Sequence, residues 1–341
     1  MSNTLHIGIV GLGRLGKRHA ENLALRVPGA TLVAAASPVA EERTWAEQTF
    51  PGIATYTDLP ALLGHEGLDA VWLVTPTSLH ADQTITVLKA GKHVFCEKPL
   101  ALEVEDCERV IEVARTRPEQ VAMVGFMRRF DPAYAEAKRQ LRDGVLGDVF
   151  HIHCASHDPI DPHGFFVKFD PTSGGIFLDC SIHDIDLVRW MLDGARVLGV
   201  SAAGTRRMYP ALAVCGDIDT AFATVCFEGG VVATFHASRT SHHGYEATMS
   251  INGTKSALTI GGGQTRLPII AEHDGQRCAE GQPDFFARFN DAFLLEARAF
   301  VAAVRERRPS PLSLEDAREA TRLACALRNA VVQPATIQGL A

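Results

Sequence analysis

The chain has 341 residues, of which 46% are hydrophobic, and a formal net charge of −7 at neutral pH. That length buries a large core and fits two domains, and the acidic balance without any basic run argues against a nucleic-acid surface. No apolar stretch reaches the roughly 18 residues of a membrane span, and the eight cysteines lack C-x-x-C spacing, so reduced thiols in a cytoplasmic protein are expected. A first strand near residue 5 leaves no room for a signal peptide.

An apolar run at 5–10 predicts that first strand. It ends in Gly11-x-Gly13-x-x-Gly16, and a helical pattern follows through Leu25. This is the strand–turn–helix setting of a dinucleotide fingerprint. Gly11 permits the turn, Gly13 lets a pyrophosphate approach, and Gly16 lets the helix pack close. The helix start at Arg14 and Leu15 offers its N–H groups to phosphates. Strands at 31–36, 70–74, 93–96 and 121–124 then alternate with helices at 39–49, 58–63, 79–90 and 103–116. Such alternation implies a parallel sheet covered on both faces. Some 20 residues past the glycine loop, an acid normally binds the 2′-hydroxyl of NAD. Here Ser37 holds that place, with Arg14 and Arg43 nearby; NAD is favoured and NADP stays open.

From about 148 the period changes to two. Strands are predicted at 149–156, 197–206, 219–227, 230–238, 246–252 and 256–260, with turns at Glu228-Gly229-Gly230 and Asn252-Gly253. Helices at about 284–307 and 313–331 close the chain. The fold class is therefore α/β: a Rossmann doubly wound parallel sheet at 1–125, then an α+β domain at 126–341 with a large, mostly antiparallel open-faced sheet. Phe285, Phe286, Phe289, Phe293 and Phe300 recur at helical spacings and read as core or as a lid. Strands 219–227 and 230–238 look apolar or small on both faces. One face has no helices left to cover it, which predicts a homo-oligomer, a dimer or tetramer.

Between the first two of these strands, Gly174-Gly175 is followed by a helical pattern in which Asp179, His183 and Asp186 fall on one face. A buried His between two acids must be neutral and hydrogen-bonded, or charged and paired. Taken alone, the segment also fits a helix-end ion pair with a satisfied core His. His151, His153, His157 and His163 cluster too, but no acid or thiol set completes a tetrahedral shell, so no metal is expected.

Four motifs occur in order: Thr75-Pro76 with His80; Gly91-Lys92-His93-Val94-Phe95-Cys96-Glu97-Lys98-Pro99-Leu100; Gly125-Phe126-Met127-Arg128-Arg129-Phe130-Asp131-Pro132; and Asp179…His183…Asp186. With the glycine turn, they make nearly the whole chain resemble the glucose–fructose oxidoreductase / inositol dehydrogenase / rhizopine-catabolism (Gfo/Idh/MocA) family. The Phe-Met-Arg-Arg-Phe-Asp segment points more narrowly to its inositol dehydrogenases. The resemblance implies NAD(P)-dependent oxidation of a ring hydroxyl of a cyclic polyol, an inositol or a pyranose sugar. That reaction needs a base and a stabiliser of alkoxide charge. The resemblance assigns the base to His183, its orientation to Asp179, and donation to the same oxygen to Lys98.

By the same resemblance, Arg128, Asp158, Asp186 and Tyr245 shape the sugar pocket. Gly11, Gly13, Arg14, Leu15, Gly16, Ser37, Thr75, Pro76, His80, Glu97 and Lys98 line the cofactor, and the Lys98–Pro99 bond is often cis. Ala155-Ser156-His157-Asp158-Pro159 departs from the family's His-Arg-Asn-Pro-like segment, which leaves the ring and stereoisomer open. Dehydration or isomerisation with a retained cofactor, and a sugar- or nucleotide-binding sensor without chemistry, remain as alternatives.

Overall fold

The computed structural model describes residues 4–261, 270–273, 276–279 and 283–332. The chain divides into two units, Met1–Phe130 with Asp291–Thr321, and Asp131–Asn290 with Arg322–Ala341.

The first unit runs β1 (Leu5–Val10), α1 (Arg14–Leu25), β2 (Ala30–Ala36), α2 (Ala40–Thr49), β3 (Ala54–Tyr56), α3 (Leu59–Leu63), β4 (Ala70–Leu73), α4 (His80–Lys89), β5 (His93–Glu97), α5 (Val104–Arg115) and β6 (Ala122–Gly125). Its six strands form a parallel sheet in the order β3-β2-β1-β4-β5-β6. The order reverses between β1 and β4, and at such a switch point the strand C-termini open a crevice for ligands. Ile7, Ile9, Ala35, Val71, Trp72 and Phe95 are fully buried, as strands covered on both faces require. Trp72 stacks on Phe95 with ring centroids 3.6 Å apart. Strand β3 is not expected from the sequence; three residues are too few to show a period.

The second unit contains α6 (Pro132–Arg142), β7 (Val149–Pro159), α7 (Phe165–Ser173), α8 (Ile176–Asp179), α9 (Ile182–Met191), β8 (Val197–Thr205), β9 (Thr220–Phe227), β10 (Val232–Ser241), β11 (Glu246–Gly253), β12 (Ala257–Ile260) and a hairpin of β13 (Ile270–His273) and β14 (Gln276–Ala279). Then follow α10 (Phe285–Arg305), α11 (Leu314–Asn329) and β15 (Val331–Val332). Residues 291–321, from within α10 to within α11, count with the first unit, although the sequence pattern assigns everything after 125 to the second. A helical pattern alone does not say which sheet it covers.

The second sheet has seven strands in the order β12-β11-β7-β10-β9-β8-β15. Its pairs are antiparallel apart from β7–β10 and β8–β15. One face buries Ile152, Cys154, Ala223, Val225, Ala233 and Phe235. The other is more polar than the strand pattern suggests. His153 is bonded to Thr234 (2.9 Å), and His157 to Glu246 (3.1 Å) and His236 (3.0 Å). Phe222, 53% exposed, stacks on His236 there. Helix α6 is also not foreseen, although Asp131 caps it through Ala133 N (3.0 Å) and Pro132 begins it. Among the described residues no helix is long and apolar enough to cross a membrane.

Candidate active site

In the first unit the turn after β1 is built around its glycines. Gly11 has φ +92°, and a Cβ there would lie 2.3 Å from the Val74 carbonyl oxygen. At Gly16 a Cβ would lie 2.0 Å from the Gly11 oxygen, whereas a Cβ at Gly13 meets nothing within 4 Å. Two glycines thus serve the fold, and the third leaves open space over the start of α1. Arg14 and Leu15 open that helix, whose first turn carries no acid. Open space facing a run of N–H groups at a helix start fits a dinucleotide pyrophosphate. Ser37, just after β2, is buried, and its hydroxyl donates to Glu42 at 2.5 Å.

The loops after β4 and β5 are tied together by His80. Its Nδ1 lies 2.7 Å from the Pro99 oxygen and its Nε2 2.8 Å from the Thr75 oxygen. Burial pulls the His80 pKa below its ordinary 6.5, and a neutral imidazole donates to one carbonyl at a time. Both nitrogens face backbone, so His80 holds Thr75-Pro76 and Pro99 in place. Thr75 also donates to Gln83 at 2.6 Å.

Glu97 ends β5 almost fully buried, with one oxygen 2.8 Å from His19 Nε2 and the other accepting the Lys98 N–H at 3.1 Å. The Lys98–Pro99 bond is cis. Glu296 of α10 is fully buried beside this pair; its carboxylate, Glu97 and His19 present donor atoms within 4.8 Å of one another. Two ligands on a tetrahedral ion with bonds of about 2.1 Å sit about 3.4 Å apart, so the 2.8 Å between His19 and Glu97 marks a shared proton, not a metal pair. Burial, and then the charge of Glu97, push the Glu296 pKa well above the ordinary carboxylate range. That direction favours the protonated form of Glu296. Arg128, in a short 3₁₀ turn at Met127–Phe130, is buried as well. A hollow of about 850 Å³ in this unit lies at the opposite, N-terminal strand edge, lined by Leu5, Asp69, His93 and Val121, away from these loops.

In the second unit the expected single helix is two. Asp179 ends α8, and α9 begins at Ile182. The ladder breaks because the Cys180 and Ser181 N–H groups both go to the Ile176 oxygen. His183 and Asp186 share α9 and are both buried. Gly174 and Gly175, at φ +82° and +87°, make the entry to α8. There the Ile176 N–H is capped by the Asp217 carboxylate at 3.0 Å. Arg239 of β10, with no exposed surface, bridges Asp217 (3.2 Å) and Asp179 (3.4 Å), and its guanidinium lies over the Phe166 ring. Sequence reasoning misses Arg239. A lone Arg in a β pattern carries no local signal, and its carboxylate partners lie on other elements.

Asp158, at the end of β7, accepts the Cys180 thiol at 3.0 Å; burial raises the pKa of that thiol. Tyr245 is mostly buried, its ring edge-on to Phe285 and Phe289 at 6.2 and 6.3 Å. The first unit thus gathers Thr75, His80, Glu97 and Lys98 around Pro99. The second links Asp179 to Arg239 and Asp158 to the α8–α9 junction.

A doubly wound sheet with this turn defines a dinucleotide-binding domain. Residues 5–126 match the family model described as "Oxidoreductase family, NAD-binding Rossmann fold", and residues 134–259 match the GFO/IDH/MocA C-terminal domain. The chain belongs to the GFO/IDH/MocA family. It is 38% identical to the scyllo-inositol 2-dehydrogenase (NAD(+)) of Bacillus subtilis over 89% of this chain and 87% of that one. It is 30% identical to the myo-inositol 2-dehydrogenase of Thermotoga maritima over 98% of each. Among solved structures, scyllo-inositol dehydrogenase from Lactobacillus casei with bound NAD(H) and scyllo-inositol aligns with TM-score 0.90 at 38% identity, over 96% of this chain and 97% of that one.

Proposed function

We propose that this protein oxidises a ring hydroxyl of an inositol, with NAD⁺ as its cofactor. The observation that carries the reading is the intact set Lys98, Asp179 and His183 in a chain 38% identical to an NAD⁺-dependent scyllo-inositol dehydrogenase. When bound, NAD⁺ supplies the acceptor for the hydride that leaves the carbinol carbon. Gly13 and the N–H groups of Arg14 and Leu15 would hold its pyrophosphate at the turn that Gly11 and Gly16 shape, and Thr75 and Pro76, fixed by His80, would line its path.

His183 takes the hydroxyl proton as the carbon is oxidised, and Asp179 orients the imidazole. Lys98 donates to the same oxygen and stabilises negative charge developing on it, while Glu97 holds the backbone that carries Lys98. Arg128, Asp158, Asp186 and Tyr245 shape the polyol pocket. NADH absorbance with a panel of inositol stereoisomers and pyranoses tests this. Reduction with at least one inositol is expected; a sensor without chemistry would reduce nothing.

The assembly is a cytoplasmic homo-oligomer, two copies pairing through the outer face of the seven-stranded sheet and two such pairs making a tetramer. Exposed Phe222 on that face supports the pairing. Light scattering that gave a mass near the 36.9 kDa of one chain would overturn it.

A further inference from the structure

We infer that Glu42, not the residue at the end of β2, selects the adenosine ribose of NAD by accepting its 2′-hydroxyl. The inference rests on the NAD reading above. In Rossmann domains the ribose is read at the C-terminal end of the second strand, by an acid for NAD or with help from an Arg for the 2′-phosphate of NADP. Here that strand end carries Ser37, a neutral residue, so neither rule applies directly.

The structure supplies the missing charge from the next element. Ser37 Oγ donates to Glu42 Oε2 at 2.5 Å and accepts the Val39 N–H at 3.1 Å. The single proton of the Ser37 hydroxyl is thus committed to Glu42, and nothing is left for it to donate to a phosphate. Glu42 lies in the first turn of α2, part-buried, and the hydrogen bond from Ser37 fixes its carboxylate at the strand end. One oxygen takes the Ser37 proton; a carboxylate has a second oxygen, with further lone pairs, to accept a hydroxyl.

Glu41, its neighbour in the same turn, complements the helix dipole equally well but is exposed and has no such tie to the strand. A dipole role alone therefore does not explain why Glu42 is drawn onto Ser37. Of the two candidate arginines, Arg14 and Arg43, Arg43 is tied to the strand end. Its NH1 donates to the Ser37 carbonyl at 2.6 Å, which braces the turn and commits part of the fork to backbone. A 2′-phosphate placed there would meet the Glu42 carboxylate, and like charges this close repel.

Dissociation constants for NAD⁺ and NADP⁺, measured by titration calorimetry on the full chain, test this without any turnover. Wild type is expected to bind NAD⁺ at least about 100-fold more tightly than NADP⁺. Glu42→Gln removes the charge and keeps the shape. It should weaken NAD⁺ about 10-fold and tighten NADP⁺, so that the ratio collapses. Adding Ser37→Asp to that variant returns an acid to the strand end and should restore the preference. Ser37→Ala, which leaves α2 intact, releases Glu42 and should reduce the ratio partway, which keeps the test decisive if Glu42→Gln folds poorly. A wild-type ratio retained in Glu42→Gln would overturn the assignment while the NAD reading stood. Wild-type protein that bound neither dinucleotide would overturn both.

Discussion

Two buried polar networks stand behind the two halves of the proposed chemistry, and they are charged differently. Behind Lys98, the His19–Glu97 pair meets a third, fully buried group, Glu296. Burial, and then the charge of Glu97, favour the protonated form of that extra carboxyl. Behind Asp179, one guanidinium, that of Arg239, faces two carboxylates, and the network is ionic. A proton-holding network tolerates neutral replacement, since nothing charged loses its partner. An ionic one does not, because deleting the cation strands buried charge. The same task, fixing a reacting side chain, is met by opposite electrostatics.

The sharpest break is at the reacting groups themselves. His183→Ala should lower kcat by about 10²–10⁴-fold, the usual worth of a general base, in steady-state assays with NAD⁺ and the best inositol. Lys98→Met should lower it by about 10²–10³-fold, as loss of an oxyanion donor does. Near-normal turnover in either variant would remove that residue from its role.

Arg239 comes next. Arg239→Met leaves Asp179 and Asp217 without their cation and should destabilise the fold by about 3–5 kcal/mol in denaturant titration. Arg239→Lys keeps the charge but not the planar fork. It should fold, lose about 10²-fold in kcat with little change in KM, and shift the pH profile of kcat, since a displaced Asp179 no longer holds the imidazole. Unchanged kcat in Arg239→Lys would make Arg239 a purely structural brace.

Glu296→Gln should have the smallest effect on kcat, and the sign of its effect on stability is set by linkage. The folded pKa of Glu296 lies above its ordinary 4.5. Its contribution to stability is thus fully present below about pH 4.5 and is lost as pH rises towards the folded value. Each pH unit in that window costs wild type about 1.4 kcal/mol that the Gln variant does not lose. The variant should therefore melt like wild type near pH 4 and progressively higher than wild type as pH rises above 4.5 towards the folded value. Parallel melting curves at every pH would show that Glu296 is ionised, and the contrast with Arg239 would fall.

Much of this is legible in the amino-acid sequence alone. The glycine turn, the parallel alternation and the switch to period two each have a local period or a residue that only one conformation suits. Lys98, Asp179 and His183 stand out because short motifs carry them. What escapes is held by distance or by weak local signal. Arg239 is 60 residues from Asp179, and Glu296 lies far along the chain from Glu97, so no window contains both partners. The helix expected from 176 onward divides at Cys180–Ser181, because two N–H groups compete for the Ile176 carbonyl; spacing alone does not reveal a doubled acceptor. Ser37 reads as the ribose contact from its place at the strand end. Its hydroxyl donates to Glu42, which the sequence shows only as one of two acids in a helix's first turn.

The most direct test of the central claim follows the hydrogen itself. Wild-type protein is incubated with NAD⁺ and an inositol deuterated at its ring carbons, and the reduced cofactor is examined by mass spectrometry. One deuterium per reduced cofactor is expected, with His183→Ala giving the same label at a much lower rate. Reduced cofactor without deuterium, or none formed from any inositol stereoisomer, would contradict the claim.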